Sequence, residues 1–189
     1  MSAPVAMIPY ANMAPYRQLG APHDCHFVTL VPKASVDALV SGQVTAAAVP
    51  VGGMCRLAGI IETVGHFGIA AKGASMSVLL FSRYPMEEMH APKTLHLTPE
   101  SASSVRLLYL LLGRRVGFNR LPHLAAHGQA PDATLLIGDR ALIKGVSDAA
   151  ADAFPHVIDL SQEWFDLYGL PFVFARWVVR LDTPDSTKR

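Results

Sequence analysis

Short apolar segments alternate with segments of helical periodicity along most of this chain, and that alternation restricts the fold more than any other feature. Residues 44–51 and 77–82 contain almost no polar side chain, which is typical of strands covered on both faces. Residues 101–115 place three leucines and one valine on one helical face. Strands that alternate with helices predict an α/β fold with mainly parallel sheets.

The remaining predicted elements continue the same alternation. Strands are predicted at residues 5–9, 26–31, 93–98, 134–137, 157–160 and 171–179. Helices are predicted at 12–19, 32–41, 140–144 and 161–168. We expect Ser161 to cap the last of these helices and Gly169 to end it before Pro171. Residues 123–132 are predicted to form a loop.

The order of these elements predicts two lobes. Strand–helix units from residue 1 to about 75 would form the first lobe, and units from about 83 to 170 the second. The apolar segments at 77–82 and 171–180 would cross between them, which assigns residues 1–76 plus 171–189 to lobe 1 and 77–170 to lobe 2. A ligand cleft is expected where strand ends and helix N-termini meet.

Composition excludes several classes of protein. Hydrophobic residues make up 51% of the chain and charged residues 16%, which is a globular composition. The net charge is +1 and no run of Lys or Arg occurs, so binding to nucleic acid or to a membrane surface through bulk charge is not expected. No signal peptide or transmembrane segment is recognisable, and the location is therefore expected to be cytoplasmic.

Metal and nucleotide cofactors are not expected either. Cys25 and Cys55 lack the spacing of a zinc site, and two unpaired thiols favour a reducing compartment. The eight histidines do not cluster, and no H-E-x-x-H motif occurs. The glycines form neither a dinucleotide fingerprint nor a phosphate-binding loop.

A hydroxyl-rich segment follows the predicted strand at 93–98 and begins the predicted helix at 101–115. Ser101, Ser103 and Ser104 lie where free backbone N–H groups and the positive end of the helix dipole would attract a carboxylate or a phosphate. Thr98, at the end of the strand, would face the same point. Simple capping of the helix by these hydroxyls is the alternative interpretation, and the residues alone favour it.

Three further polar residues lie at strand ends. Asn12 follows the first predicted strand and either binds a ligand or caps a turn. Ser77 precedes a buried strand; it lacks a G-x-S-x-G elbow, so a nucleophilic serine is not expected. Asp139 follows Gly138 at the end of a strand and either lines the cleft or caps the next helix.

Five segments of the chain resemble one enzyme family in the same order. They are IPYANMAPY, GASMSVLLFS, SASSVRLL, LLIGDRAL and DLSQEWFDLYGLPFVFARWVVR. They resemble the chorismate dehydratases of the futalosine route to menaquinone, and the similarity extends over essentially the whole chain. The resemblance implies the two-lobed periplasmic-binding-protein type 2-like fold in a cytoplasmic lyase without a cofactor. Such an enzyme removes water from chorismate to give 3-[(1-carboxyvinyl)oxy]benzoate.

The resemblance also implies roles for individual residues. Asn12 and Ser77 fall on the family's catalytic positions, while Ser101, Ser103 and Ser104 fall on its hydroxyl-rich helix start. The sequence does not single out a general base. Glu100, Asp139 and a carboxylate of the substrate itself are the candidates.

The chain departs from the family pattern at three places. Gly52-Gly53 stand where the family commonly has an acidic residue, and Ala102 replaces a bulkier or basic residue. The chain also ends soon after the segment LPFVFA, whereas family members continue through further helices. We therefore expect a C-terminally shortened fold and a homodimer that covers the apolar surface left open.

Two other functions remain open at this point. A non-catalytic binding protein for a small aromatic carboxylate would use the same fold and the same residues. A related menaquinone-pathway enzyme acting on a larger nucleoside-derived substrate fits less well, because GLPFVFARWV matches the dehydratases better.

Overall fold

A computed structural model describes residues 2–147 and 153–188. It contains two compact units. Unit 1 comprises Met1–Ala70, Glu100–Ser103 and Val173–Arg189, and unit 2 comprises Ala71–Pro99 and Ser104–Phe172. The predicted lobes include residues 1, 148–152 and 189, which lie outside the described residues.

Strands and helices alternate over much of the chain, as the sequence predicts, but β3 to β6 follow one another with no α-helix between them. The strands are β1 (Ala3–Met7), β2 (Cys25–Thr29), β3 (Ala46–Pro50), β4 (Ile61–Ala71), β5 (Val78–Ser82), β6 (Thr94–His96), β7 (His123–Leu124), β8 (Ala133–Ile137), β9 (His156–Asp159) and β10 (Phe172–Arg180). The helices are α1 (Ala14–Leu19), α2 (Pro32–Val40), α3 (Ala102–Val116), α4 (Gly138–Gly145), α5 (Leu160–Tyr168) and α6 (Asp185–Lys188). Short 3-10 segments lie at Ala11–Met13, Val51–Leu57, Met86–Glu88 and Phe118–Arg120.

The sheet of unit 1 has the strand order β2-β1-β3-β10-β4 among the described residues. Strand β1 runs parallel to β2 and β3, while β10 runs antiparallel to β3. Successive side chains of a strand point to opposite faces, so the sheet supports two apolar clusters. Ala47 and Val49 face a cluster with Leu39 of α2 and Val178, and Ala48 faces the other cluster with Met13.

The sheet of unit 2 has the order β7-β6-β8-β5-β9 within the residues described. Strand β6 runs parallel to β7 and β8, and β5 runs antiparallel to both β8 and β9. Leu79, Phe81, Leu136 and Ala141 form a buried cluster on this sheet. Because β5 lies between β8 and β9, the residues that precede it are held beside the C-terminal end of β8.

The sheets are mixed, whereas the sequence predicts mainly parallel strands. Strand β5 is buried throughout and β10 is partly buried, and both are interior strands that run antiparallel to a neighbour. A strand covered on both faces has the same apolar composition in either direction. Its amino acids therefore predict burial, and they carry no information about the direction in which the strand runs.

Three local predictions are wrong. Strand β4 was not predicted, because its residues are largely exposed and two glycines interrupt its pattern. One of them, Gly68, is required by close packing, since a Cβ there would lie 2.6 Å from the carbonyl oxygen of Ala175 in β10. The predicted loop at 123–132 begins with the short strand β7. Asp159, and not Ser161, caps α5, because the Asp159 carboxylate accepts the N–H groups of Ser161 and Gln162.

No helix within residues 2–147 or 153–188 is both long and apolar enough to cross a membrane.

Candidate functional site

Ser77 lies directly before β5, beside the start of α4. Its carbonyl oxygen accepts the N–H of Gly138 at 2.8 Å, which continues the antiparallel ladder that pairs Val78 with Ile137. Asp139 follows in the first turn of α4 and is half-buried. The fold of unit 2 therefore brings Ser77 and Asp139 to the same end of the sheet, although they lie 62 positions apart in the sequence.

The hydroxyl of Ser77 is not used in holding the fold. Within the part of the chain that the structure describes, the hydrogen bonds of Ser77 use its backbone, with its N–H donating to Ser75 Oγ at 3.4 Å. The side chain is half-buried, so the hydroxyl lies at a partly open position. Because the backbone of Ser77 makes these hydrogen bonds, its hydroxyl can donate to or accept from a ligand without first breaking a hydrogen bond within the protein.

The turn before Ser77 is held by the carboxylate of Asp159. Asp159 Oδ2 accepts the N–H of Ser75 at 2.9 Å and the N–H of Met76 at 2.6 Å. Its other oxygen, Oδ1, accepts from Ser161 N at 2.8 Å and Gln162 N at 3.2 Å at the start of α5. One side chain at the end of β9 thereby joins a helix start to the turn that precedes β5.

Met76 has an uncommon backbone conformation. Its φ is +58°, in the left-handed region that residues with a side chain rarely adopt. Its side chain is 66% exposed, so core packing does not hold this conformation. The two amide hydrogen bonds to Asp159 are the contacts that hold the turn in this geometry.

The start of α3 presents a different environment for the predicted hydroxyls. Thr98, Ser101, Ser103 and Ser104 are all buried. Ser103 Oγ donates to the carbonyl oxygen of Phe174 at 2.8 Å and accepts the N–H of Gly52 at 3.0 Å. Within unit 1, the Ser103 hydroxyl therefore ties the first turn of α3 to β10 and to the segment that follows β3, which is a structural role. Binding of substrate by Thr98, Ser101, Ser103 and Ser104 stays a prediction.

Asn12 lies in the 3-10 segment after β1 and is exposed. Its neighbour Tyr10 donates a hydrogen bond from Oη to Glu100 Oε2 at 2.7 Å. The carbonyl oxygen of Glu100 accepts the N–H of Lys33 at 3.0 Å, at the start of α2. Unit 1 therefore brings the segment that carries Asn12 against Glu100, directly before α3.

Two glycines stand where the resembling family has an acidic residue. Gly52 donates its N–H to Ser103 Oγ. A Cβ at Gly53 would lie 2.8 Å from Cγ2 of Val36 in α2, so this position is closely packed. A side chain at residue 53 would therefore require the Val36 side chain to move.

The sequence interpretation missed Asp159 in unit 2 and Tyr10 in unit 1. Asp159 precedes a helical segment, and an Asp directly before a helix is a recognisable capping signal. Its second set of contacts joins residues more than 80 positions apart and leaves no local pattern. Among the described residues, no three His, Cys, Asp or Glu side chains lie together as a metal site would require.

Comparison with known proteins identifies the family. The family model described as menaquinone biosynthesis matches residues 3–189. The chorismate dehydratase of Thermus thermophilus is 32% identical over 190 residues, which cover 93% of this chain and 69% of that protein. This chain belongs to the menaquinone biosynthesis family.

Solved structures of low sequence identity share the fold. Protein AF1704 from Archaeoglobus fulgidus superposes with a TM-score of 0.65 at 15% identity, over 99% of this chain and 71% of that one. The periplasmic aliphatic sulphonate binding protein SsuA from Escherichia coli gives a TM-score of 0.59 at 14% identity, over 94% of this chain and 64% of that protein. This member of the menaquinone biosynthesis family therefore has the two-lobed periplasmic-binding-protein type 2-like fold, as predicted.

Proposed function

We propose that this protein is a chorismate dehydratase-like hydro-lyase of the futalosine route to menaquinone. It would eliminate water from chorismate to give 3-[(1-carboxyvinyl)oxy]benzoate. The observation that carries the proposal is the 32% identity to a chorismate dehydratase over 93% of the chain. The partly open Ser77 hydroxyl supports it, because the resemblance predicts a catalytic serine at this position.

The chemistry needs few protein groups. Chorismate is a dicarboxylate with a hydroxyl on a cyclohexadiene ring. Breaking the C–O bond of that hydroxyl and removing a ring proton makes the ring aromatic, so the driving force lies in the substrate. The protein must hold the ring, stabilise the departing hydroxyl and leave an acceptor for the proton.

We assign hydrogen bonding to the reacting ring to Ser77 and Asn12. The Ser77 hydroxyl makes no internal bond among the described residues, and the Asn12 side chain is exposed, so neither group must give up a structural contact to meet a ligand. An amide can donate and accept at once, and a hydroxyl can do the same. Both groups can therefore stabilise charge on the oxygen that leaves.

Three groups are proposed as acceptors of the ring proton. Asp139 lies beside Ser77 at the edge of the unit 2 sheet. Glu100 accepts a hydrogen bond from Tyr10 near Asn12. A carboxylate of chorismate itself is the third, and it would explain activity that survives both Asp139→Asn and Glu100→Gln.

A non-catalytic binding protein for a small aromatic carboxylate is the second candidate function. The observation that favours it is Gly53, which is packed against Val36 where the resembling family has an acidic side chain. Such a protein would use Asn12 and Ser77 as ligand contacts. It would bind chorismate or a benzoate analogue in a calorimeter and release no dehydrated product.

The location, partners, cofactors and oligomeric state of the protein are also proposals. We propose a cytoplasmic location, a small carboxylate as the partner, and no metal or organic cofactor. We also propose a homodimer, no nucleic-acid partner and no association with a membrane. Light scattering at high micromolar concentration tests the dimer, and a monomer mass there would exclude it.

Incubation of the purified protein with chorismate, followed by mass spectrometry, tests the main proposal. The expected result is conversion to a product lighter by one water, at a rate proportional to enzyme concentration. Ser77→Ala is the matched control, since it removes one oxygen atom from a partly open position. If the protein bound chorismate but released no product over hours, the enzyme proposal would be rejected in favour of the non-catalytic binding protein.

A further inference from the structure

We propose that Asp159 is a positioning residue, which sets the place of the Ser77 hydroxyl through the turn that precedes it. The inference rests on the proposed function only in taking Ser77 as a group that contacts the substrate. Asp159 itself lies at the end of β9 and need not contact a ligand.

The carboxylate of Asp159 makes two separate sets of contacts. Oδ2 accepts the amides of Ser75 and Met76, two residues and one residue before Ser77. Oδ1 accepts the amides of Ser161 and Gln162. The hydroxyl of Ser75 lies 3.3 Å from each oxygen and in turn accepts the N–H of Ser77. A chain of three residues therefore connects the carboxylate to the backbone of Ser77.

The chemistry of these contacts requires a carboxylate. Capping of α5 alone could be done by Ser, Thr or Asn, each of which offers one acceptor oxygen. Two oxygens that both accept are needed to meet amides on opposite sides, and an ionised Asp supplies them. Hydrogen bonds of an amide to a charged acceptor are also stronger than those between neutral groups.

Backbone geometry shows why the turn needs this support. Met76 adopts φ +58° with an exposed side chain, and Gly73 adopts φ +84°. A left-handed residue that lacks support from packing relaxes to a commoner conformation when its hydrogen bonds are lost. The relaxation would move Ser77, whose other anchor is the bond from Gly138 N–H to its carbonyl oxygen.

Asp159→Ser separates positioning from capping. Serine is a good N-cap, so α5 keeps an acceptor at its start, but its short side chain cannot also reach the amides of Ser75 and Met76. Asp132→Ser is the matched control. Asp132 Oδ2 accepts the N–H and the hydroxyl of Thr94 at 2.8 and 3.0 Å, so the control loses a similar carboxylate contact at the start of β6.

The first readout is steady-state kinetics on chorismate. We expect Asp159→Ser to lower kcat about 10- to 100-fold with KM changed less than about threefold, because misplacing a reacting group by about 1 Å has effects of this size. Asp132→Ser should keep kcat within about twofold. A kcat for Asp159→Ser within twofold of wild type, or an equal loss in both variants, would overturn the positioning role.

The second readout does not depend on turnover. Hydrogen exchange of the amides of Met76 and Ser77 should be faster in Asp159→Ser than in wild type and unchanged in Asp132→Ser, at a temperature where all three are folded. Unchanged exchange at these amides would overturn the inference, whatever the activity. Wild-type protein that shows no turnover, with exchange responding as expected, would reject the proposed function and leave the positioning of Ser77 in place.

Discussion

Ser103 lies at the start of α3 and Ser77 lies directly before β5, yet the two serine hydroxyls have opposite roles. Ser103 is 2% exposed, and its hydroxyl both donates to and accepts from the backbone. Ser77 is half-buried, and it is held through its backbone. The difference indicates that Ser103 stabilises the fold, whereas Ser77 has a hydroxyl to offer a ligand.

The largest expected effect is at the residues proposed to contact the reacting ring. Ser77→Ala and Asn12→Ala should each raise the activation barrier by roughly 2.7–4 kcal/mol, the usual loss for one preorganised donor. The melting temperature should stay close to that of wild type, because neither side chain holds the fold together. Steady-state kinetics and thermal unfolding of the same samples measure kcat and the melting temperature. A large drop in melting temperature with normal kcat would mean that Ser77 and Asn12 stabilise the fold and do not act on the substrate.

Ser103→Ala should behave in the opposite way. The substitution removes the acceptor of the Gly52 N–H and a donor to Phe174, and a buried group left without its partner costs about 1–3 kcal/mol. Urea unfolding measures this loss of stability. If Ser103→Ala instead weakened chorismate binding with full stability, the hydroxyl would belong to the ligand site, as the family resemblance implies.

Tyr10→Phe is expected to have a smaller effect. It removes the hydrogen bond from the tyrosine hydroxyl to Glu100 and keeps the ring that packs against the core. The expected loss is about 1 kcal/mol of stability, as for a typical hydrogen bond. Denaturant unfolding of Tyr10→Phe, Glu100→Ala and the double variant tests it, because two substitutions that remove the same hydrogen bond should not be additive. If the losses of unfolding free energy were fully additive, Tyr10 and Glu100 would not stabilise the protein through the same hydrogen bond.

Ser161→Ala is expected to have the smallest effect. The Ser161 hydroxyl is buried without a hydrogen-bond partner among the described residues, so its removal should not lower the free energy of unfolding. Urea unfolding is the measurement. A loss above 1 kcal/mol would mean that Ser161 does cap α5, as the sequence predicted.

The sequence could predict the fold because the relevant information is local. Apolar runs such as β3 and β5 read as buried strands, and the start of α2 at Pro32 follows from the rules of helix starts. Strand direction was not readable, since burial on both faces erases the alternation of side chains. Strand β4 was not readable because exposed residues and glycines hide its periodicity.

The candidate site was only partly predictable, for a related reason. A serine beside a strand is visible in the sequence, but whether its hydroxyl faces the backbone of a distant segment is not. Gly52 and Phe174, whose backbones form hydrogen bonds with the hydroxyl of Ser103, lie 51 and 71 positions away. Asp159 acts on Ser75 and Met76 across 84 and 83 positions, with no local pattern to show it.

Turnover of chorismate by wild type, Ser77→Ala and Ser103→Ala in parallel, followed by mass detection of the dehydrated product, tests whether Ser77, and not Ser103, acts on the substrate. Rates would be compared at a temperature where unfolding curves show all three folded. We expect product from wild type and from Ser103→Ala at similar rates, and a loss of about 100-fold or more in Ser77→Ala. Equal rates for wild type and Ser77→Ala, or no product from wild type, would contradict this expectation.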